Sequence, residues 1–284
     1  MAAHLSGTTQ SRRKFLRSLA SAGIVLATPW QSASAQIRQV SSVGLQLYSL
    51  RAEMAADFEG TLEALAEIGF KEMEFAGYFD KTPSQVRQLL DANGLSSPAA
   101  HIPLEAIRNN LSEVIDTAAT IGQKYIVLPY MVGADRDYDN YARIAELLNR
   151  AGETSKVAGI KMGYHNHDFE FDKHDGHMGY DVLLDQTDDD LVFFEMDLYW
   201  AATAGIDARD YFRKYPGRFT MLHVKDQAAD GNMADVGRGV IDFADIFSMA
   251  DIAGFEHYFI EHDNPSDGIN SITYSYNTVN QLRY

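Results

Sequence analysis

The sequence predicts an α/β chain folded as one (β/α)8 barrel, the TIM-barrel fold, in a single domain. Three observations predict it. Short apolar runs alternate with segments of helical period about eight times, and such alternation builds a parallel sheet that eight units can close. The span 36–284 is close to the roughly 250 residues of one such barrel. Three successive runs, Phe193–Asp197, Phe219–Asp226 and Tyr258–Asp263, end in acids and histidines, and barrel strands present their carboxyl ends to one shared site.

The elements follow in chain order. Val43–Ser49 is the first strand run, and Leu62, Leu65, Ala66 and Ile68 mark a helix that stops at Gly69. Lys71–Ala76 is the second strand, and Asn93-Gly94 closes the helix after it. Ser97–Ile102, the stop at Ile121-Gly122, and Tyr125–Tyr130 continue the alternation. Ile144, Leu147, Leu148 and Ala151 carry a helix to Ala158-Gly159, after which Ile160–His165, Leu191–Asp197 and Phe219–Lys225 are strands. Ala253-Gly254 then precedes the last strand, His257–Glu261. Each strand is a continuous apolar run, as expected where both faces are covered, and each glycine stop fits a left-handed helix cap. An open doubly wound sheet would need a glycine-rich turn after the first strand. Gln46-Leu47-Tyr48-Ser49-Leu50-Arg51 contains no glycine.

Residues 1–35 read as an address rather than as fold. Ser11-Arg12-Arg13-Lys14-Phe15-Leu16-Arg17 precedes the apolar stretch Leu19–Trp30 and the small-x-small site Ala33-Ser34-Ala35. This resembles a twin-arginine signal, which implies recognition by that export machinery, crossing in the folded state and a periplasmic or secreted location. The stretch is short of the about 20 apolar residues of a membrane span, so no membrane association is expected after cleavage. The chain has no cysteine and carries a net charge of −16. Cleavage after Ala35 removes four basic residues and no acid, which takes the charge to −20. Nucleic acid is disfavoured, because phosphate-backbone binding draws on clustered Lys and Arg. A neutral or cationic small molecule suits the chain better.

Side chains two apart on a strand share a face. That rule pairs Gln46 with Tyr48, Glu72 with Glu74, His165 with His167, Glu195 with Asp197, His223 with Lys225 and Glu261 with Asp263. Such a concentration of acids and imidazoles calls for a cation, and mixed carboxylate and imidazole donors suit Mn, Mg, Co, Fe or Zn. Asp197, His223 and Glu261 are the best three ligands, each at a strand end.

The chain resembles the xylose-isomerase-like barrels of the sugar phosphate isomerase/epimerase group. The matching pieces are Gly44-Leu45-Gln46-Leu47-Tyr48-Ser49, Ala100-His101-Ile102-Pro103, Glu195-Met196-Asp197, Leu222-His223-Val224-Lys225-Asp226 and Ile260-Glu261. The resemblance implies a divalent metal held by Glu, Asp, His and Glu from the fifth to eighth strands, and Asp197, His223 and Glu261 match the last three. At the first, Met162-Gly163-Tyr164-His165-Asn166-His167-Asp168-Phe169-Glu170 departs from the pattern. Either His165 replaces the glutamate or Glu170 reaches back from the loop; His165, which keeps strand-end geometry, is preferred.

The resemblance implies an enzyme that removes a proton next to a carbonyl of a carbohydrate, with isomerisation or epimerisation as the usual outcome. Losing one metal-bound glutamate puts two-base epimerisation in doubt, and a separate base and acid fit elimination or hydration at least as well. His101, His167 and Lys225 are candidate proton carriers, and Glu74 and Glu195 candidate bases or hydroxyl ligands. Lys225 beside Asp226 is equally readable as a structural ion pair. Gln46, Tyr48 and Trp200 are the candidate substrate contacts, since a flat ring packs on a sugar's C–H face. His174 and His177 are expected to be solvated. Export favours a non-phosphorylated keto-sugar or its glycoside, with a 3-keto-glycoside lyase or hydratase as the specific alternative. A phosphodiesterase resembling endonuclease IV, which the charge opposes, and a non-catalytic sugar-binding barrel are the remaining readings.

Overall fold

The computed structural model describes residues 37–284. The expected export signal, residues 1–35, lies outside them. Eight parallel strands close into a barrel in sequence order: β1 Gly44–Gln46, β2 Glu72–Phe75, β3 Ser96–His101, β4 Tyr125–Leu128, β5 Lys161–His165, β6 Val192–Asp197, β7 Phe219–Val224 and β8 His257–Ile260. Pairing of Gly44 with Phe259 and of Leu45 with Ile260 joins the last strand to the first. Among the described residues no helix is long and apolar enough to cross a membrane.

The helices begin and end where local chemistry directs. Asp57 accepts from the Gly60 N–H at the start of Phe58–Ile68, and Thr82 and Gln85 form a reciprocal capping box on Pro83–Ala92. The five expected glycine stops all take positive φ, between 63° at Gly94 and 118° at Gly69. Leu62, Leu65, Ile144 and Leu148 turn inward and are buried against the outer face of the barrel.

Inside the barrel, Ala99, Val127, Phe193, Met221 and Phe259 form an apolar layer of their own. Two glycines make it possible. A Cβ on Gly163 would lie 2.3 Å from Phe193, and one on Gly44 would lie 2.5 Å from Phe259, so the missing side chains are the space these rings fill. Below the layer, Glu72 pairs with His257 at 2.8 Å and the Tyr125 hydroxyl donates to Glu256. Glu72 therefore belongs to the floor, and only its partner Glu74 reaches the upper end.

Several strands stop earlier than expected. After Gln46 the chain enters a 3-10 turn, Leu47–Leu50, with the Gln46 side chain accepting from the Tyr48 N–H. The turn breaks the alternation and leaves Tyr48 43% exposed, so it does not share a face with buried Gln46. β4 ends before Pro129, which has no N–H to give the ladder. Register shifts occur beside Glu74 on β2 and Glu195 on β6, and such bulges re-aim side chains.

Candidate metal and catalytic site

The upper ends of β5 to β8 bring His165, Asp197, His223 and Glu261 together, with one ligand atom from each lying within 4.8 Å of the others. All four are buried. Local bonds aim them. The Pro129 carbonyl accepts from His165 Nδ1 at 3.1 Å, which turns Nε2 into the cluster, 3.3 Å from Asp197 Oδ2. Asp197 Oδ1 accepts from the Trp200 N–H and caps the short helix Leu198–Thr203. Its backbone is clamped by Asn166, whose Oδ1 accepts from the Asp197 N–H while Nδ2 donates to the Asp197 carbonyl. Glu170 faces elsewhere: it accepts from the Tyr164 hydroxyl at 2.6 Å and from the His167 N–H at 2.8 Å. Burial pushes its carboxyl up to about 8 despite those bonds.

This donor set fits a divalent cation. Two carboxylates and two imidazoles converge, and a ligating histidine that gives its other N–H to a backbone carbonyl is the usual supporting arrangement.

A second group adjoins the first. Glu74, His101, Glu195 and His223 also place one ligand atom each within 4.8 Å of one another. His223 joins the two groups: Nδ1 lies 2.8 Å from Glu261, and Nε2 lies 2.8 Å from Glu74 and 3.3 Å from Glu195. His101 Nε2 lies 2.8 Å from Glu195 and 3.5 Å from Glu74. Burial, and then the Glu195 charge, raise the Glu74 carboxyl. Burial opposes the charge on Glu195 too, but His223 and His101 outweigh it and hold Glu195 below the usual range. The two glutamates are thus pushed apart in acidity.

Lys225 is 1% exposed, with its ammonium 2.9 Å from Asp197, 2.6 Å from Glu261 and 2.8 Å from Asp263. Its neighbour Asp226 is not its partner, which corrects the ion-pair alternative. The Asp226 carboxylate instead accepts from the backbone N–H groups of Gln227, Gly237, Gly239 and Ile241 and gathers the loop after β7.

Among the described residues, four buried polar atoms around the cluster accept or donate no hydrogen bond: Glu74 Oε1, approached only by His101 at 3.5 Å, Glu195 Oε1, His167 Nδ1 and Trp200 Nε1. They are candidate groups for contacting a ligand. Burial lowers His167 to about 2, so its imidazole is neutral, and its ring packs against Tyr130, Phe169 and Trp200. Gln46, expected at the substrate, is fully buried and donates to Glu74 at 2.8 Å, so it braces that glutamate. Tyr48 stands at the rim with the Arg51 guanidinium over its ring. His174 and His177 lie exposed on a two-stranded ribbon. Sequence reasoning passed over Asn166, which sat between the two histidines it did weigh, and left Asp263 without a role beyond its shared face with Glu261.

Fold and site together define a (β/α)8 barrel with a buried acid and imidazole cluster at the carboxyl ends of its strands. The chain belongs to the xylose isomerase-like TIM barrel family, whose pattern matches residues 62–273. It is 24% identical to an inosose dehydratase of Clostridium perfringens, across 72% of this chain and 81% of that protein. It is also similar to the crystal structure of a sugar phosphate isomerase/epimerase from Parabacteroides distasonis, with a TM-score of 0.71 and 27% identity over 86% of this chain and 94% of that one. A zinc-bound IolI protein shares the fold, with a TM-score of 0.63 and 14% identity over 84% of this chain and 97% of the other.

Proposed function

We propose that the protein is a divalent-metal-dependent enzyme that removes a proton next to the carbonyl of a non-phosphorylated keto-sugar and then expels a hydroxyl or glycosidic oxygen from the adjoining carbon. The observation that carries the reading is the asymmetry of the site. His165 stands among the ligand atoms where a second metal-bound carboxylate would serve two-face epimerisation, while the unpartnered carboxylate oxygens of Glu74 and Glu195 lie to one side. A divalent ion held by His165, Asp197, His223 and Glu261 would polarise the carbonyl and lower the cost of the enediolate.

The remaining work falls to the chain's own groups. Glu74 or Glu195 takes the proton through its unpartnered Oε1, and His101, within 3.5 Å of both carboxylates, passes it toward the leaving oxygen. His167 is a poor proton carrier at neutral pH because its acidity lies far from that range. Its Nδ1 and the Trp200 indole N–H suit substrate hydroxyls. Glu74, Glu195, Asp197, Glu261 and Asp263 crowd one end of the barrel, and such a carboxylate field opposes a phosphate group. Similarity to an inosose dehydratase supports the elimination; the isomerase/epimerase reading shares its first step and is the second candidate.

Incubation with a keto-sugar in deuterated water separates the readings. Deuterium should enter at the carbon next to the carbonyl, and an unsaturated or hydrated product should accumulate. Clean interconversion of epimers without such product would replace elimination with epimerisation, and the absence of both exchange and any new product would sink both readings.

We further propose export to the periplasm, supported by Arg12-Arg13 and the site Ala33-Ser34-Ala35. Replacing both arginines with lysine should hold the precursor in the cytoplasm. Undiminished appearance of the double variant outside it would reject a twin-arginine route.

A further inference from the structure

The Lys225 ammonium has three N–H donors and three carboxylate partners, Asp197, Glu261 and Asp263. Two of these are shared with the candidate metal site. Asp197 Oδ2 is also the oxygen nearest His165 Nε2, and Glu261 Oε2 is also the oxygen that faces His223 Nδ1. A divalent ion bound through those oxygens and an ammonium bonded to the same oxygens would lie a few ångströms apart, where like charges repel strongly in a dry interior. The third partner stands outside the ligand set. The Asp263 carbonyl accepts from Arg51, which also donates to the Asn264 side chain, so the Asp263 backbone is tied to the first residue of the helix Arg51–Ala56.

We infer that Lys225 is the internal counter-ion of the metal-free site and yields Asp197 and Glu261 to an incoming divalent metal while remaining bonded to Asp263. In the metal-free protein the ammonium neutralises carboxylates that would otherwise repel one another in the core. Once it is held by Asp263 alone, two of its N–H donors are released for a substrate oxygen. Lys225 thus couples metal entry to completion of the substrate site.

The inference rests on the metal reading above, and manganese titration separates the two. The wild-type protein should bind Mn2+ in calorimetry. Lys225→Met should bind it about tenfold more tightly or better, have a lower Tm when metal-free, and gain more Tm on loading. Asp263→Asn should weaken Mn2+ binding more in the wild-type background than beside Lys225→Met, because its effect acts through the lysine. Unchanged or weaker binding by Lys225→Met, or equal Asp263→Asn effects in both backgrounds, would overturn the exchange. If Lys225→Met does not fold, a manganese-loaded wild-type crystal decides: an ammonium bonded only to Asp263 is expected, and one still bonded to Asp197 and Glu261 rules the exchange out. A wild-type protein that binds no divalent metal would sink the metal reading, and this inference with it.

Discussion

His223→Ala is expected to remove bound divalent metal, reduce turnover to background and destabilise the barrel. The imidazole is fully buried among four carboxylates and touches Glu74, Glu195, Asp197 and Glu261 within 3.7 Å. Removing it deletes a ligand from the candidate metal site and leaves His101 as the one imidazole still between Glu74 and Glu195. Breaking one side of a buried ionic network costs about 3–5 kcal/mol. The loss should show as a lower Tm in the metal-free protein, and elemental analysis should find the metal gone. Full metal occupancy in this variant would exclude His223 as an essential ligand. Asp197→Ala should also lose metal, but with a further defect, because the helix Leu198–Thr203 loses its cap.

Gly163→Ala is expected to have the next largest effect, although it adds only one methyl and removes no ligand. That methyl would meet three atoms of the Phe193 ring at 2.3, 2.5 and 2.9 Å. The ring belongs to the closed inner layer and packs edge-on to Tyr125 at 4.8 Å, so the backbone of β5 has to give. Overpacking of a closed core costs about 1–3 kcal/mol and occasionally more, and here the upper end or beyond is expected. Because His165 lies two residues further on the same strand, metal affinity should fall as well. Chemical denaturation and manganese calorimetry would measure both losses. Phe193→Leu in the same chain should restore part of each; a double variant no better than Gly163→Ala would refute the steric cause.

The alternation of strand and helix was legible because two local signals coincide at each repeat. Apolar runs mark the strands, and glycines such as Gly69 and Gly122 end the preceding helices at φ values that other residues adopt at a cost. Strand ends were legible less well. Tyr48 and Tyr130 look like strand residues by type, yet a side-chain bond from Gln46 turns the chain at one and a proline stops the ladder before the other. The convergence of His165, Asp197, His223 and Glu261 could be anticipated because each ends an apolar run. What could not be read were bonds closed across the fold. Asn166 clamps Asp197 from 31 residues away, and Asp263 meets Lys225 across 38. Periodicity places each on a face and says nothing of its partner. Gln46 is the instructive case, since its inward direction was apparent while the commitment of its amide to Glu74 depends on packing between two strands.

The apolar layer of Ala99, Val127, Phe193, Met221 and Phe259 makes the barrel a cup rather than a tube. Its lower end is sealed by aromatic rings and by the Glu72 and His257 pair, so any guest must arrive and depart through the one rim where Tyr48 and Tyr130 stand. The acid and imidazole groups stand above that layer, so a substrate reaching Glu74 and Glu195 would meet them from the upper end of the strands.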